Sequence, residues 1–130
     1  MLKEGPVVDI GSQSTMPINI QHPWFHNLLG ATTIHQMAAL MERSRLLISP
    51  VTGTLHLAAA CGLPILSIVG GSEPAVATGI SRGRSLVDRP SCANCYESGP
   101  CISDFQCLWA IKPGTVYELA LSMLEQPGGR

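Results

Sequence analysis

Thr52-Gly53-Thr54, with His56 two residues on, is the stretch of this chain best suited to chemistry, because a turn of this kind offers bare backbone amides to an anion. It follows the apolar run Leu46–Ser49 and opens a short Ala-rich helix, Leu55–Cys61, which Gly62 can close in the left-handed conformation. Ile65–Val69 is almost wholly apolar, as a strand covered on both faces is. A helix that begins where a parallel strand ends aims its first N–H groups into the crevice at the carboxyl ends of the sheet, a place suited to a pyrophosphate. His56 could donate to a phosphate or a sugar hydroxyl, or serve equally as a structural histidine. The loop Gly70-Gly71-Ser72-Glu73-Pro74 follows the buried strand into the same crevice, where it either cradles a phosphate or only turns the chain. Glu73 is the only carboxylate of this candidate site, and one carboxylate without a partner is thin support for acid–base catalysis. The turn by itself also fits a βαβ connection that binds nothing.

Cys92, Cys95, Cys101 and Cys107 follow with the spacing C-x2-C-x5-C-x5-C. Four thiolates brought together would hold a structural zinc ion, with Cys92 and Cys95 as a knuckle pair. A zinc ribbon carries two such pairs, and this chain has one. Free or redox-linked thiols and disulfides are the other two readings, and disulfides need an oxidising compartment. Met1–Ile10 lacks the long apolar core of a signal peptide, so the expected location is the cytoplasm, or the inner face of the membrane. Cys61 is expected to pack in its helix. His22, His26 and His35 have no metal-ligand spacing, and no Ser/His/Asp set can be assembled.

These residues need a scaffold, and 130 residues supply a single domain. With 45% hydrophobic and 13% charged residues the chain is globular. A net charge of −1 and no basic run exclude a nucleic-acid partner, and no apolar stretch reaches the length of a membrane span. Low charge and a mean hydropathy of +0.24 predict apolar surface that meets a partner.

Val7–Ile10 and Asn27–Leu29 are predicted as short strands. Thr32 or Thr33 caps a helix to about Ser44, with Ile34, Met37, Ala38, Met41 and Arg45 on one face. Residues 75–110 read as an irregular, Cys-rich segment with a short strand at Ser85–Val87. Thr115 and Glu118 form a capping-box signature for a last helix over residues 115–126, with Val116, Leu119, Ala120 and Met123 on one face. Strands alternating with helices predict a parallel α/β layer, with a Rossmann-like core at residues 7–74.

Leu29-Gly-Ala-Thr-Thr-Ile34, Thr52-Gly-Thr-Leu-His-Leu-Ala-Ala-Ala-Cys-Gly-Leu-Pro64, the Gly-Gly-Ser-Glu-Pro74 loop and Cys107-Leu-Trp-Ala-Ile-Lys-Pro113, in this order, resemble glycosyltransferase family 9, the heptosyltransferases of lipopolysaccharide assembly. The resemblance covers roughly residues 7–125. It implies a two-domain GT-B enzyme whose C-terminal, Rossmann-like half binds a nucleotide-diphosphate sugar of the ADP-heptose class. Transfer inverts the anomeric centre and needs no cofactor, and the other half binds the acceptor and supplies the base. By resemblance, Thr52, Gly53, Thr54 and His56 hold the donor diphosphate, Thr32 and Thr33 lie near the nucleoside, and Gly71 and Ser72 border the donor pocket.

The chain departs from the family pattern in several places. Val51 stands where the family has Asp. No Glu follows Gly11-Ser12 to reach a ribose. The acceptor domain and the first βα unit of the donor domain are missing, so the chain reads as a partial donor-binding domain that is not catalytically competent alone. Two other readings stay open: a non-catalytic α/β interaction module held by a four-cysteine zinc site and a homo-oligomer interface, and a subunit that docks on a separate acceptor-binding chain.

Overall fold

Parallel pairing organises the chain twice over. The computed structural model describes residues 3, 5–12, 20–71, 83–87, 95, 101 and 103–125. The chain forms two compact units, Met1–Leu40 and Met41–Arg130.

In the first unit, β1 (Val7–Asp9) pairs in parallel with β2 (Phe25–Asn27), Val7 opposite Phe25 and Asp9 opposite Asn27. β2 lies two residues ahead of the expected Asn27–Leu29. The Asn27 side chain is the reason: its Oδ1 accepts the Leu29 N–H at 3.0 Å, and this turn takes the chain out of the strand. Gly30, at φ +69°, completes the turn. The loop stays fastened to β1, because Leu28 N–H donates to Asp9 O and Gly30 N–H to Gly11 O, both at 2.8 Å.

Helix α1 (Ile34–Glu42) starts in this unit and crosses the division between the two. Thr33 is the residue that caps it. Gln36 N–H donates to Thr33 Oγ1 at 3.3 Å, and Thr33 N–H donates to Gln36 Oε1 at 2.8 Å, a reciprocal capping box.

The second unit holds a three-stranded parallel sheet in the order β3 (Leu47–Pro50), β4 (Ile65–Val69), β5 (Gly83–Val87). β4 is central, and Ile65, Leu66, Ser67 and Val69 are fully buried, as both faces of a covered parallel strand must be. Ser67 Oγ donates to Ser85 Oγ on β5 at 2.7 Å. The crossover between β3 and β4 is α2 (Gly53–Ala60). Its end is a Schellman motif: Leu63 N–H reaches Ala58 O at 3.0 Å and Gly62 N–H reaches Ala59 O at 3.1 Å, with Gly62 at φ +71°. Leu55 and Ala58 of α2 pack into the same core as β4, and Met41, Leu63, Cys107 and Ala120 are buried in this unit too.

Of the segment over 75–110, the described residues are 83–87, 95, 101 and 103–110. It contains all of β5, longer than the expected Ser85–Val87, and a short helix α3 (Gln106–Trp109). The last helix, α4 (Pro113–Glu125), opens two residues before Thr115. Pro113 takes the first helical position, where its fixed φ fits and its missing N–H costs nothing. Val116 N–H then donates to Lys112 O at 3.2 Å, so Thr115 sits inside the first turn and is not the cap. At the other end Arg45 Nη2 donates to Leu124 O at 2.6 Å, serving a carbonyl that the helix leaves open. The architecture is α/β, with parallel strands flanked by helices. No helix among the described residues is long and apolar enough to cross a membrane.

Candidate functional site

β3 ends at Pro50, and the chain turns through Val51 and Thr52 into α2. Thr52 is extended, at φ −145° and ψ 173°, and its carbonyl accepts the N–H groups of Leu55 (3.0 Å) and His56 (3.4 Å). Its hydroxyl does not cap the helix. It lies 3.4 Å from the hydroxyl of buried Ser49, which in turn donates to Pro50 O at 2.8 Å. The amides of Gly53 and Thr54 therefore have no acceptor among the described residues. A Cβ placed on Gly53 would meet nothing within 4 Å. Residues 50–56 contain no acidic side chain, and the positive end of the helix dipole adds to the two bare amides. His56 is exposed on the first turn of α2.

The register of β3 on β4, Pro50 opposite Ile68, puts the end of β4 at the same end of the sheet as this turn. Gly71 is buried there, directly after β4. A Cβ on Gly70 would lie 3.6 Å from Leu108 Cδ2 and 4.0 Å from Cys107 Sγ, so α3 packs against the exit of the strand. Thr52, Gly53, Thr54 and His56 are thus brought together, with Gly71 at the same sheet end. Ser72 and Glu73 lie outside the described residues.

Thr32 and Thr33 belong to the other unit. Thr33 spends its hydroxyl on the α1 cap, whereas Thr32 Oγ1 is buried with no hydrogen-bond partner among the described residues, and Asp9 Oδ2 is in the same condition.

Of the late cysteines, Cys107 is buried and Cys101 is exposed, and neither these two nor Cys95 or Cys61 forms a disulfide. Cys101 Sγ accepts the Phe105 N–H at 3.2 Å, and this bond, followed by one from the Ser103 backbone, holds the thiol below its ordinary pKa. Asp104 and Phe105 stand in the left-handed region, at φ 48° and 57°, to make that bend. Among the described residues no three His, Cys, Asp or Glu side chains gather where a metal ion could sit. Cys92 lies outside them, so the four-cysteine zinc set is only partly in view.

Ser49, Gln36 and Asp9 are the residues here that the sequence reading does not single out. The Thr33-x-x-Gln36 spacing is legible as a capping box. Asp9, an acid closing an apolar strand, is a weaker signal, and nothing in the sequence marks Ser49.

The family model described as glycosyltransferase family 9 (heptosyltransferase) matches residues 15–99. No curated protein sequence matches the chain. Among solved structures, that of the E. coli ADP-heptose LPS heptosyltransferase II is similar over 95% of this chain, with a TM-score of 0.69 and 23% identity. The chain spans 38% of the length of that protein.

Proposed function

Since this chain belongs to glycosyltransferase family 9, we propose that it is the donor-binding part of a heptosyltransferase-like, inverting glycosyltransferase of cell-envelope polysaccharide or lipopolysaccharide synthesis. The observation that carries the reading is the start of α2, where two amides with no acceptor among the described residues stand at the carboxyl end of a parallel sheet. That arrangement suits the diphosphate of a nucleotide sugar, of which ADP-heptose is one class.

The chemistry follows from charge. As the glycosidic bond to the donor breaks, negative charge grows on the leaving diphosphate. The amides of Gly53 and Thr54 and the dipole of α2 stabilise that charge more than they stabilise the bound donor, which is what lowers a barrier. Thr52 and His56 add side-chain donors, and Gly71 and Ser72 border the pocket. Thr33 positions α1 through its cap. Reaction needs an acceptor held by another domain or a partner chain, which also supplies the base, and it proceeds at the cytoplasmic face of the membrane.

Isothermal titration of the purified chain with ADP, UDP and GDP tests the reading. Micromolar to millimolar binding of one nucleotide is expected, and no binding by a folded chain overturns it. A second reading, a non-catalytic interaction module that self-associates and holds zinc through its late cysteines, is favoured by the exposed Phe105, Leu108 and Trp109 at α3. Solution mass and metal content on the same sample separate the two.

A further inference from the structure

Thr52 stands where a threonine caps a helix, and its backbone is extended as a cap requires, yet its side chain caps nothing. An N-cap hydroxyl ordinarily accepts the N–H of the second or third helical residue, here Thr54 or Leu55. Leu55 N–H is already held by Thr52 O at 3.0 Å, so the amide left for such a cap is that of Thr54. A capping Thr52 would therefore close one of the two amides on which anion binding at this turn depends.

What keeps the hydroxyl away lies on β3. Ser49 Oγ is 3.4 Å from Thr52 Oγ1. Ser49 is itself anchored: the residue is 6% exposed, and its Oγ donates to Pro50 O at 2.8 Å. Ser67 is opposite Ser49 across the sheet but gives its proton to Ser85 Oγ at 2.7 Å, so it does not draw Ser49 away from the turn. A strand residue with a fixed place in the sheet thus sets the rotamer of the residue that opens the helix. A threonine hydroxyl has few staggered positions, and one held toward β3 is withheld from α2.

We propose that Ser49 is a positioning residue of the nucleotide-binding turn: by holding the Thr52 hydroxyl it denies α2 a side-chain cap and leaves the Thr54 amide open to a phosphate oxygen. The proposal rests on the nucleotide-binding reading above. Ser49 touches no ligand itself and acts through Thr52.

The test reads the amide and the ligand separately, on the full chain. Exchange of the Thr54 N–H with water, followed by NMR, is expected to slow about fivefold in Ser49→Ala, because the freed hydroxyl caps the helix. Calorimetry with ADP is expected to show an affinity lowered by a similar factor. Both changes run through Thr52, so adding Ser49→Ala to Thr52→Ala is expected to alter neither the exchange rate nor the affinity any further. If Ser49→Ala does not fold by circular dichroism, Ser49→Cys, whose thiol is a weak hydrogen-bonding group, takes its place. An affinity loss that persists in the Thr52→Ala background makes Ser49 a packing residue and overturns the inference. So does an unchanged Thr54 exchange rate, or an ADP affinity equal to the native chain's, and these outcomes leave the proposed function standing. No ADP binding by the folded native chain overturns the proposed function, and this inference falls with it.

Discussion

At the scale of single residues, the start of α2 allows binding and stability to be separated. Gly53 has an ordinary backbone conformation and open space where a Cβ would go. Gly53→Ala is therefore expected to leave the melting temperature unchanged or to raise it, by about 0.4–1 kcal/mol of stability, because the unfolded chain loses freedom. The methyl group would stand where the diphosphate must approach the amides, so nucleotide affinity is expected to drop about tenfold or more. Calorimetry and thermal unfolding of one sample check both halves. Cys101 makes a second residue-scale prediction. Its pKa is lowered by the Phe105 N–H, so more of it is thiolate near neutral pH, and it is exposed while Cys107 is buried. Iodoacetamide mapped by mass spectrometry should label Cys101 well before Cys107. Because the folded pKa is the depressed one, the small stabilisation from this thiolate is present above the unfolded pKa. It is lost as pH falls through the folded value.

Among the elements, β4 and α2 were the most legible in the sequence, and for physical reasons. An apolar run followed by a polar loop can only be a covered strand or a buried helix, and Gly62 fixes where the helix before it must end. Gly62→Ala is accordingly expected to cost about 1–2 kcal/mol, since φ +71° strains any side chain, and urea denaturation would read it. Leu66→Ala, at a fully buried position of the central strand, should cost about 2–5 kcal/mol by the same measurement.

Other elements were less legible because their boundaries are set by side chains acting on the backbone. Asn27 ended β2 early by accepting the Leu29 N–H. Pro113 started α4 before the Thr115–Glu118 signature, since its ring is pre-set for the first turn. β5 begins with exposed Gly83 and Arg84, and only its pairing with β4, distant in sequence, makes those residues a strand. Within the site, the α2 turn could be read from its residue types. The pairing of the Thr52 hydroxyl with Ser49, which leaves the amides bare, could not, because it depends on a strand residue whose side chain carries no pattern.

For the whole molecule, the share of a related enzyme that the chain spans shapes what it should do by itself. Nucleotide at about 100 times its dissociation constant is expected to stabilise the chain by about 2.7 kcal/mol, seen as a raised melting temperature. The hydroxyl contact between Ser67 and Ser85 has a last consequence for how the chain assembles. It joins two residues that face each other across β4 and β5, one of them fully buried. Sliding β5 by two positions would keep its faces but set Gly83 or Val87 opposite Ser67, leaving a sealed hydroxyl unanswered at about 1–3 kcal/mol. The pair works as a proofreading mark that rejects a mis-threaded β5.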